Sequence, residues 1–152
     1  MTLQQPFAGV LVSVSLLFAA PLAAQEKGQW RAASKTASSI TGEVSFTDQK
    51  IYINFSAFTI AQIRTLSQAE ATALFDTPIE GAGNLFRTVV PAGKKFLHKN
   101  TLCGGEDTQW VATWVSGHTL RLAFFSGTAM PVLTTEAVAN STTLCGTYTY
   151  VR

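Results

Sequence analysis

Side chains with catalytic or metal-binding chemistry are few in this chain. Its only histidines are His98 and His118, and its only cysteines are Cys103 and Cys145. Neither cysteine belongs to a Cys-x-x-Cys pair, and the histidines do not stand at metal-ligand spacing from them. The sequence contains no Gly-x-Ser-x-Gly elbow, no His-Glu-x-x-His motif and no phosphate-binding glycine loop. These observations favour a non-enzymatic protein, and we expect neither a metal nor a cofactor.

One enzymatic alternative remains open, a small hydrolase that uses His98 as its base. The acids nearest to His98 in the C-terminal direction are Glu106 and Asp107, which lie beyond Cys103. Such an enzyme requires His98 to meet a carboxylate and a nucleophile within hydrogen-bond reach. The second histidine, His118, is predicted at the tip of a turn, in solvent.

The two cysteines are predicted to form a disulfide bond. An even pair of cysteines in an oxidising compartment is normally bonded. Joining Cys103 to Cys145 closes a loop of roughly 40 residues, for which the chain-entropy relation gives about 4 kcal/mol of stabilisation. The pair therefore predicts both a covalent staple in the fold and an exported protein.

The first 24 residues are predicted to be a secretory signal peptide. They contain no charged side chain, and the apolar run over residues 7–20 is soon followed by the small pair Ala23-Ala24. Cleavage near Ala24 leaves residues 25–152 as a single β-domain in the periplasm or outside the cell, without a stable membrane span. An uncleaved membrane anchor is the alternative, although the apolar run is shorter than the roughly 20 residues of a spanning helix.

The charge of the chain argues against some classes of partner. The formal net charge is +2, which is smaller than a nucleic-acid or anionic-membrane binder usually carries. Five basic side chains nevertheless fall within thirteen residues that contain no acid. This basic patch consists of Arg87, Lys94, Lys95, His98 and Lys99. We expect a solvated strand edge there, because lysines discourage edge-to-edge pairing of sheets. A site for an anion or an acidic partner is the alternative.

The strongest secondary-structure signal lies between the two cysteines. Residues 109–116 and 119–126 read as two strands joined by Gly117-His118, and a two-residue turn that begins with Gly suits a type II′ hairpin. This register places Trp114 opposite Arg121, where a cation–π contact can form. The face that carries them consists of Trp110, Ala112, Trp114, Arg121, Ala123 and Phe125. Both faces are largely apolar, so this second face has to be covered by the chain itself, by a ligand or by a partner.

A second hairpin and several further segments complete the predicted fold. Large aliphatic side chains alternate with polar ones in residues 44–55 around the turn Asp48-Gln49. A helix is predicted from the cap residue Ser67, with Glu70 closing a capping box, to Phe75. Other strands are predicted at residues 57–65, 85–90, 95–102 and 144–151, and residues 134–141 are interpreted as a short helix or an irregular strand. Seven to nine short strands with one short helix are typical of a small antiparallel β-barrel or sandwich.

One short motif resembles a known group of proteins. Gly28-Gln29-Trp30, near the start of the predicted β-domain, is similar to the opening of lipocalins and of some bacterial secreted inhibitors. No second lipocalin signature follows in the sequence, and we assign no family on this motif.

Two binding hypotheses follow from these features. The first is an exported partner-binding or inhibitor-like protein that uses exposed aromatic side chains together with the basic patch. The second is a carrier of a small apolar ligand, held in a barrel whose cavity is lined by aromatic side chains. The candidate contact residues are Trp110, Trp114, Arg121, Phe125, Tyr148 and Tyr150. The two hypotheses differ in whether these aromatics enclose a void or are packed solid.

Overall fold

Eight antiparallel strands form a closed barrel. The computed structural model describes residue 2, residues 25–76 and residues 79–152, so the predicted signal peptide lies almost wholly outside the described residues. Each strand pairs with the next one along the chain, and β8 pairs back with β1. The strands are β1 (Gly28–Ala32), β2 (Val44–Phe46), β3 (Lys50–Ile53), β4 (Ser56–Thr65), β5 (Asn84–Val90), β6 (Thr108–Ser116), β7 (Thr119–Phe125) and β8 (Leu144–Val151). The predicted β-rich, antiparallel fold is confirmed, and the architecture is a barrel.

Both predicted hairpins form with the expected register. In β6–β7, Trp114 pairs with Arg121 and Val115 with Leu120. Gly117 has a φ of 57°, as the first position of a type II′ turn requires. In β2–β3, Phe46 pairs with Ile51 and Val44 with Ile53. Period-two alternation therefore puts the large aliphatic residues of both hairpins on the inner face of the wall.

Apolar side chains fill the inside of the barrel. An eight-stranded barrel has an interior just wide enough for side chains to fill or for one small ligand. Here the inward-facing positions of all eight strands contribute to one buried cluster. Its largest fully buried members are Trp30, Tyr150, Phe124, Ile51, Ile53, Leu120, Leu122, Val44 and Val111. The inside of this barrel is a core.

In the described ranges, three short helices begin at hydroxyl caps. The predicted helix is α2 (Gln68–Phe75), whose capping box is complete because Ser67 Oγ accepts from Glu70 N and Glu70 Oε1 accepts from Ser67 N. The chain also forms α1 (Lys35–Ile40), which was not predicted, and α3 (Thr135–Ala139), which resolves the ambiguity over residues 134–141. Within residues 25–76 and 79–152, no helix has the length and hydropathy needed to cross a membrane.

The prediction of a strand at residues 95–102 is wrong. Residues 91–107 form a connection between β5 and β6 that contains only a 3₁₀ turn at Leu97–Lys99. Phe96 and Leu102 are 8% and 6% exposed and belong to the barrel core. We call residues 91–107 the end cap, since these two side chains close one end of the barrel. Apolar and polar residues alternate in this segment because Phe96 and Leu102 are buried at the end of the barrel, and not because the segment is a strand.

The predicted disulfide between Cys103 and Cys145 is confirmed. Cys103 belongs to the end cap and Cys145 to β8. Both residues pack against the barrel core. The bond therefore ties the end cap to the strand that closes the barrel.

Because two tyrosines of β8 are buried, we expect the free energy of unfolding to fall at alkaline pH. Burial raises the pKa of Tyr148 to about 12 and also raises the pKa of Tyr150, whose hydroxyl lies 2.6 Å from Thr41 Oγ1. In the unfolded chain a tyrosine loses its proton near pH 10. The contribution of these two tyrosines to stability is therefore fully present well below pH 10 and falls as the pH rises towards 12, by about 2 to 3 kcal/mol for Tyr148 alone.

Urea unfolding at a series of pH values measures this loss. Tyr148→Phe, which removes one ionising group, is expected to make the fall shallower. A free energy of unfolding that stays constant from pH 8 to pH 12 in the unmodified protein would contradict the prediction.

Candidate functional site

One half of the outer barrel wall is covered by the chain itself. Outward-facing residues of β5, β6 and β7 form a second buried cluster with residues of α2 and of the segment leading into α3. Trp110 Nε1 donates to the Gly127 carbonyl at 3.1 Å, and Trp114 Nε1 donates to the Ile79 carbonyl at 3.3 Å. The second apolar face of the β6–β7 hairpin is therefore covered by the protein's own helices and connections.

The predicted aromatic contact residues lie on opposite sides of the wall. Trp110, Trp114 and Phe125 belong to the outer cluster. Tyr148 and Tyr150 belong to the inner core. These five side chains therefore do not line one common cavity.

The predicted cation–π contact between Trp114 and Arg121 is not seen among the described residues, and a different arginine stacks on this wall. Arg121 is paired with Trp114 in the sheet, but the guanidinium that stacks on this wall is that of Arg87, 4.6 Å from the Trp110 ring. The Nη1 atom of Arg121 is buried and has no hydrogen-bond partner among the described residues. Register alone therefore did not identify the arginine that stacks.

The basic patch is divided between the wall and the end cap. Arg87 donates to Gln109 Oε1 at 2.6 Å, which holds it against the covered half of the wall. The other members, Lys94, Lys95, His98 and Lys99, are exposed on the end cap. His98 Nδ1 lies 3.1 Å from the Ser39 carbonyl oxygen. No carboxylate lies within 4 Å of His98 in the described ranges.

The remaining half of the outer wall is bare. A row of directly paired residues crosses four strands there: Gln29 in β1, Ser45 in β2, Tyr52 in β3 and Ala57 in β4. Three inter-strand spacings give this row a length of about 14 Å. Ser45 and Ala57 are small, so the Tyr52 ring stands between two short side chains.

A cleft of about 490 Å³ lies along the part of this row from Gln29 to Tyr52. We call it the Tyr52 cleft. Its lining consists of Gln29, Glu43, Val44, Ser45, Tyr52, Asn54 and Phe55. Glu43 is the only charged residue in this lining. In the part of the chain that the structure describes, none of the polar side chains that line the cleft makes an intramolecular hydrogen bond. These are Gln29, Glu43, Ser45, Tyr52 and Asn54.

Phe55 stands beside this cleft in a strained turn. Asn54 and Phe55 form the two-residue loop between the paired residues Ile53 and Ser56, with φ angles of 46° and 69°. Positive φ at both positions is the type I′ geometry, for which Asn-Gly is the preferred sequence. A bulky residue at positive φ is an outlier that costs on the order of 1 to 3 kcal/mol. The Phe55 side chain is 97% exposed, more than any other large hydrophobic side chain described.

The Tyr52 cleft was not predicted from the sequence. Phe55 was predicted to be a strand residue, because Ile51, Ile53 and Phe55 continue one alternation. The signal that was available is Asn54, since asparagine tolerates positive φ and favours tight turns. In the described ranges, no group of three or more His, Cys, Asp or Glu side chains is placed to hold a metal ion.

Comparison of the chain with protein-family models, with curated proteins and with solved structures gives no match.

Proposed function

We propose that this chain is an exported, non-enzymatic binding protein that contacts its partner on the bare half of the outer wall, with Phe55 as an anchor. The exposure of Phe55 carries the proposal. Glycine would satisfy the same turn without strain, and a side chain that is 97% exposed gains little from contacts within the chain. Exposed aromatic side chains that become buried on association are typical anchors of interfaces.

Export is supported by two independent features. Residues 1–24 have the composition of a secretory signal peptide. The Cys103–Cys145 disulfide is typical of an oxidising compartment such as the periplasm or the cell exterior. An uncleaved N-terminal segment that anchors the domain to a membrane remains the alternative location.

A partner on the outside is favoured over a ligand inside the barrel. The inward-facing aromatic side chains pack against one another; for example, the Phe124 and Tyr148 rings stand 5.3 Å apart in an edge-to-face arrangement. The Tyr52 cleft, in contrast, lies on the outside and is bordered by an exposed ring. The end-cap lysines remain a separate predicted site for an anion or acidic partner.

Replacing Phe55 separates binding from folding. Phe55→Gly is expected to leave the free energy of unfolding unchanged or to raise it by up to about 2 kcal/mol, because glycine relieves the positive-φ strain at some entropic cost. The same substitution is expected to abolish partner binding. Val132→Gly is the matched control, since Val132 is 65% exposed but lies in the segment before α3 on the covered half of the wall.

Photo-crosslinking in the cells that produce the protein measures the binding. A photoreactive phenylalanine analogue at position 55 is expected to give a discrete adduct, which excess unlabelled wild-type protein or Val132→Gly suppresses and excess Phe55→Gly does not. Equal suppression by all three competitors, or the same adducts from an analogue at position 132, would contradict the proposal.

A further inference from the structure

We infer that the Tyr52 cleft binds a neutral oligosaccharide chain. This inference rests on the proposed function and names the class of ligand for the same surface. It depends on three properties of the cleft: the accessible aromatic rings, the polar side chains that make no intramolecular hydrogen bond, and the single charge.

The aromatic rings provide platforms for sugar rings. A pyranose presents an apolar C–H face that packs on an aromatic ring, while its hydroxyl groups project around the rim. Tyr52 stands between Ser45 and Ala57 in the cross-strand row, and Phe55 projects from the adjoining turn. The part of the row that lines the cleft, from Gln29 through Ser45 to Tyr52, spans two inter-strand spacings, or about 10 Å, which is longer than one sugar ring. The platform therefore fits a chain of sugars better than a monosaccharide.

The polar side chains of the cleft match the hydrogen-bonding needs of hydroxyl groups. Each sugar hydroxyl both donates and accepts, so its site requires both kinds of partner. Gln29 and Asn54 offer amide donors and acceptors, the Glu43 carboxylate accepts, and the hydroxyls of Ser45 and Tyr52 do both. Because these side chains make no hydrogen bonds within the described chain, a ligand that binds them replaces water and breaks no contact within the protein.

The charge and topology of the site argue against other ligands. Glu43, the one charged residue in the lining, would repel a carboxylated, sulfated or phosphorylated sugar. An extended peptide commonly binds by adding a strand to an open sheet edge. The described strands close into a barrel in which every strand has a neighbour on both sides, so no strand is an unpaired edge strand. A neutral oligosaccharide uses the outer face of the wall and needs no edge.

Adding oligosaccharides to the isotope-labelled protein and following its backbone amide signals by NMR tests the inference. The probes are neutral hexasaccharides of β-1,4-N-acetylglucosamine, β-1,4-glucose and β-1,3-glucose, with hexagalacturonate as the anionic control. At least one neutral probe is expected to shift the backbone amide signals of Gln29, Ser45 and Tyr52 saturably. Tyr52→Ala and Phe55→Ala are expected to weaken its binding at least about tenfold. Val132→Ala is expected to leave it unchanged, and unaltered amide signals from β6 and β7 verify that each variant is folded.

The outcomes separate this inference from the proposed function. If no neutral probe shifts the cleft signals while Phe55-dependent crosslinking persists, the oligosaccharide inference is overturned and the binding function stands. If both experiments fail, both proposals are wrong. If hexagalacturonate binds and shifts the end-cap signals of Lys95 and Lys99 instead, the ligand is anionic and the inference is again overturned.

Discussion

Trp30→Ala is expected to lower the free energy of unfolding by about 3 to 5 kcal/mol, because it removes a large, fully buried aromatic side chain from the barrel core. The Trp30 ring is 0% exposed. Its Nε1 donates to the Glu26 carbonyl at 2.7 Å, and the Arg152 guanidinium lies 4.1 Å from the ring centroid. Urea denaturation followed by far-UV circular dichroism measures the loss.

Two further variants divide this loss into its causes. Trp30→Phe keeps a buried ring but removes the indole N–H, and Arg152→Ala removes the cation while leaving the ring in place. Arg152→Ala is expected to cost about 1 kcal/mol. A loss below about 1 kcal/mol for Trp30→Ala would contradict the core role, since that is well under the range for a buried tryptophan.

This arrangement explains the Gly-x-Trp motif of the chain. Trp30 lies in β1, and Arg152 directly follows β8, so their contact spans the junction of the first and eighth strands. Arg152 Nη1 also donates to the Lys27 carbonyl at 2.9 Å. In this chain, Gly28-Gln29-Trp30 therefore stabilises the closure of the barrel.

Replacing both Cys103 and Cys145 by serine is expected to lower the free energy of unfolding by about 4 kcal/mol. The bond joins residues 42 positions apart, and its removal restores the entropy of that loop to the unfolded chain. Urea unfolding of the double variant measures the effect. Reducing the wild-type protein is the matched control, since it breaks the same bond without changing a residue.

In the same variant, we expect the end cap to open more readily than the rest of the barrel. Phe96 and Leu102 reach the core from a connection with little regular structure. Amide exchange in residues 91–107 is expected to accelerate, while the β6–β7 hairpin stays protected. Uniform acceleration, or a stability loss below about 1 kcal/mol, would contradict the staple role of the disulfide.

Local features were the ones that the sequence predicted well. Gly117 fixed the register of β6–β7, because a two-residue turn leaves only one pairing for the flanking residues. Ser67 and Glu70 fixed the start of α2 for a similar reason, since both halves of a capping box lie within one helical turn. Such elements need no knowledge of the remaining chain.

Non-local features were missed or misassigned. The segment at residues 95–102 alternates like a strand, but whether Phe96 pairs in a sheet or plugs a barrel depends on strands distant in sequence. The Tyr52 cleft is open because the helices cover a different part of the wall. Helices α2 and α3 lie over β6 and β7, and the outer faces of β1–β4 stay bare. Sequence patterns indicate that a face is apolar or polar, but not which half of a barrel a helix covers.

The pairing of β1 with β8 limits when the barrel can close. These strands are paired only through Arg31–Val151 and Ala32–Tyr150, contacts that span nearly the whole folded domain. Contacts of such long sequence separation form slowly, so β1 keeps an open edge until β8 is available. Cys145 lies in β8, so the disulfide cannot form before that last strand is available. With two cysteines in the chain, only one intramolecular pairing exists, and oxidation needs no isomerase to correct it.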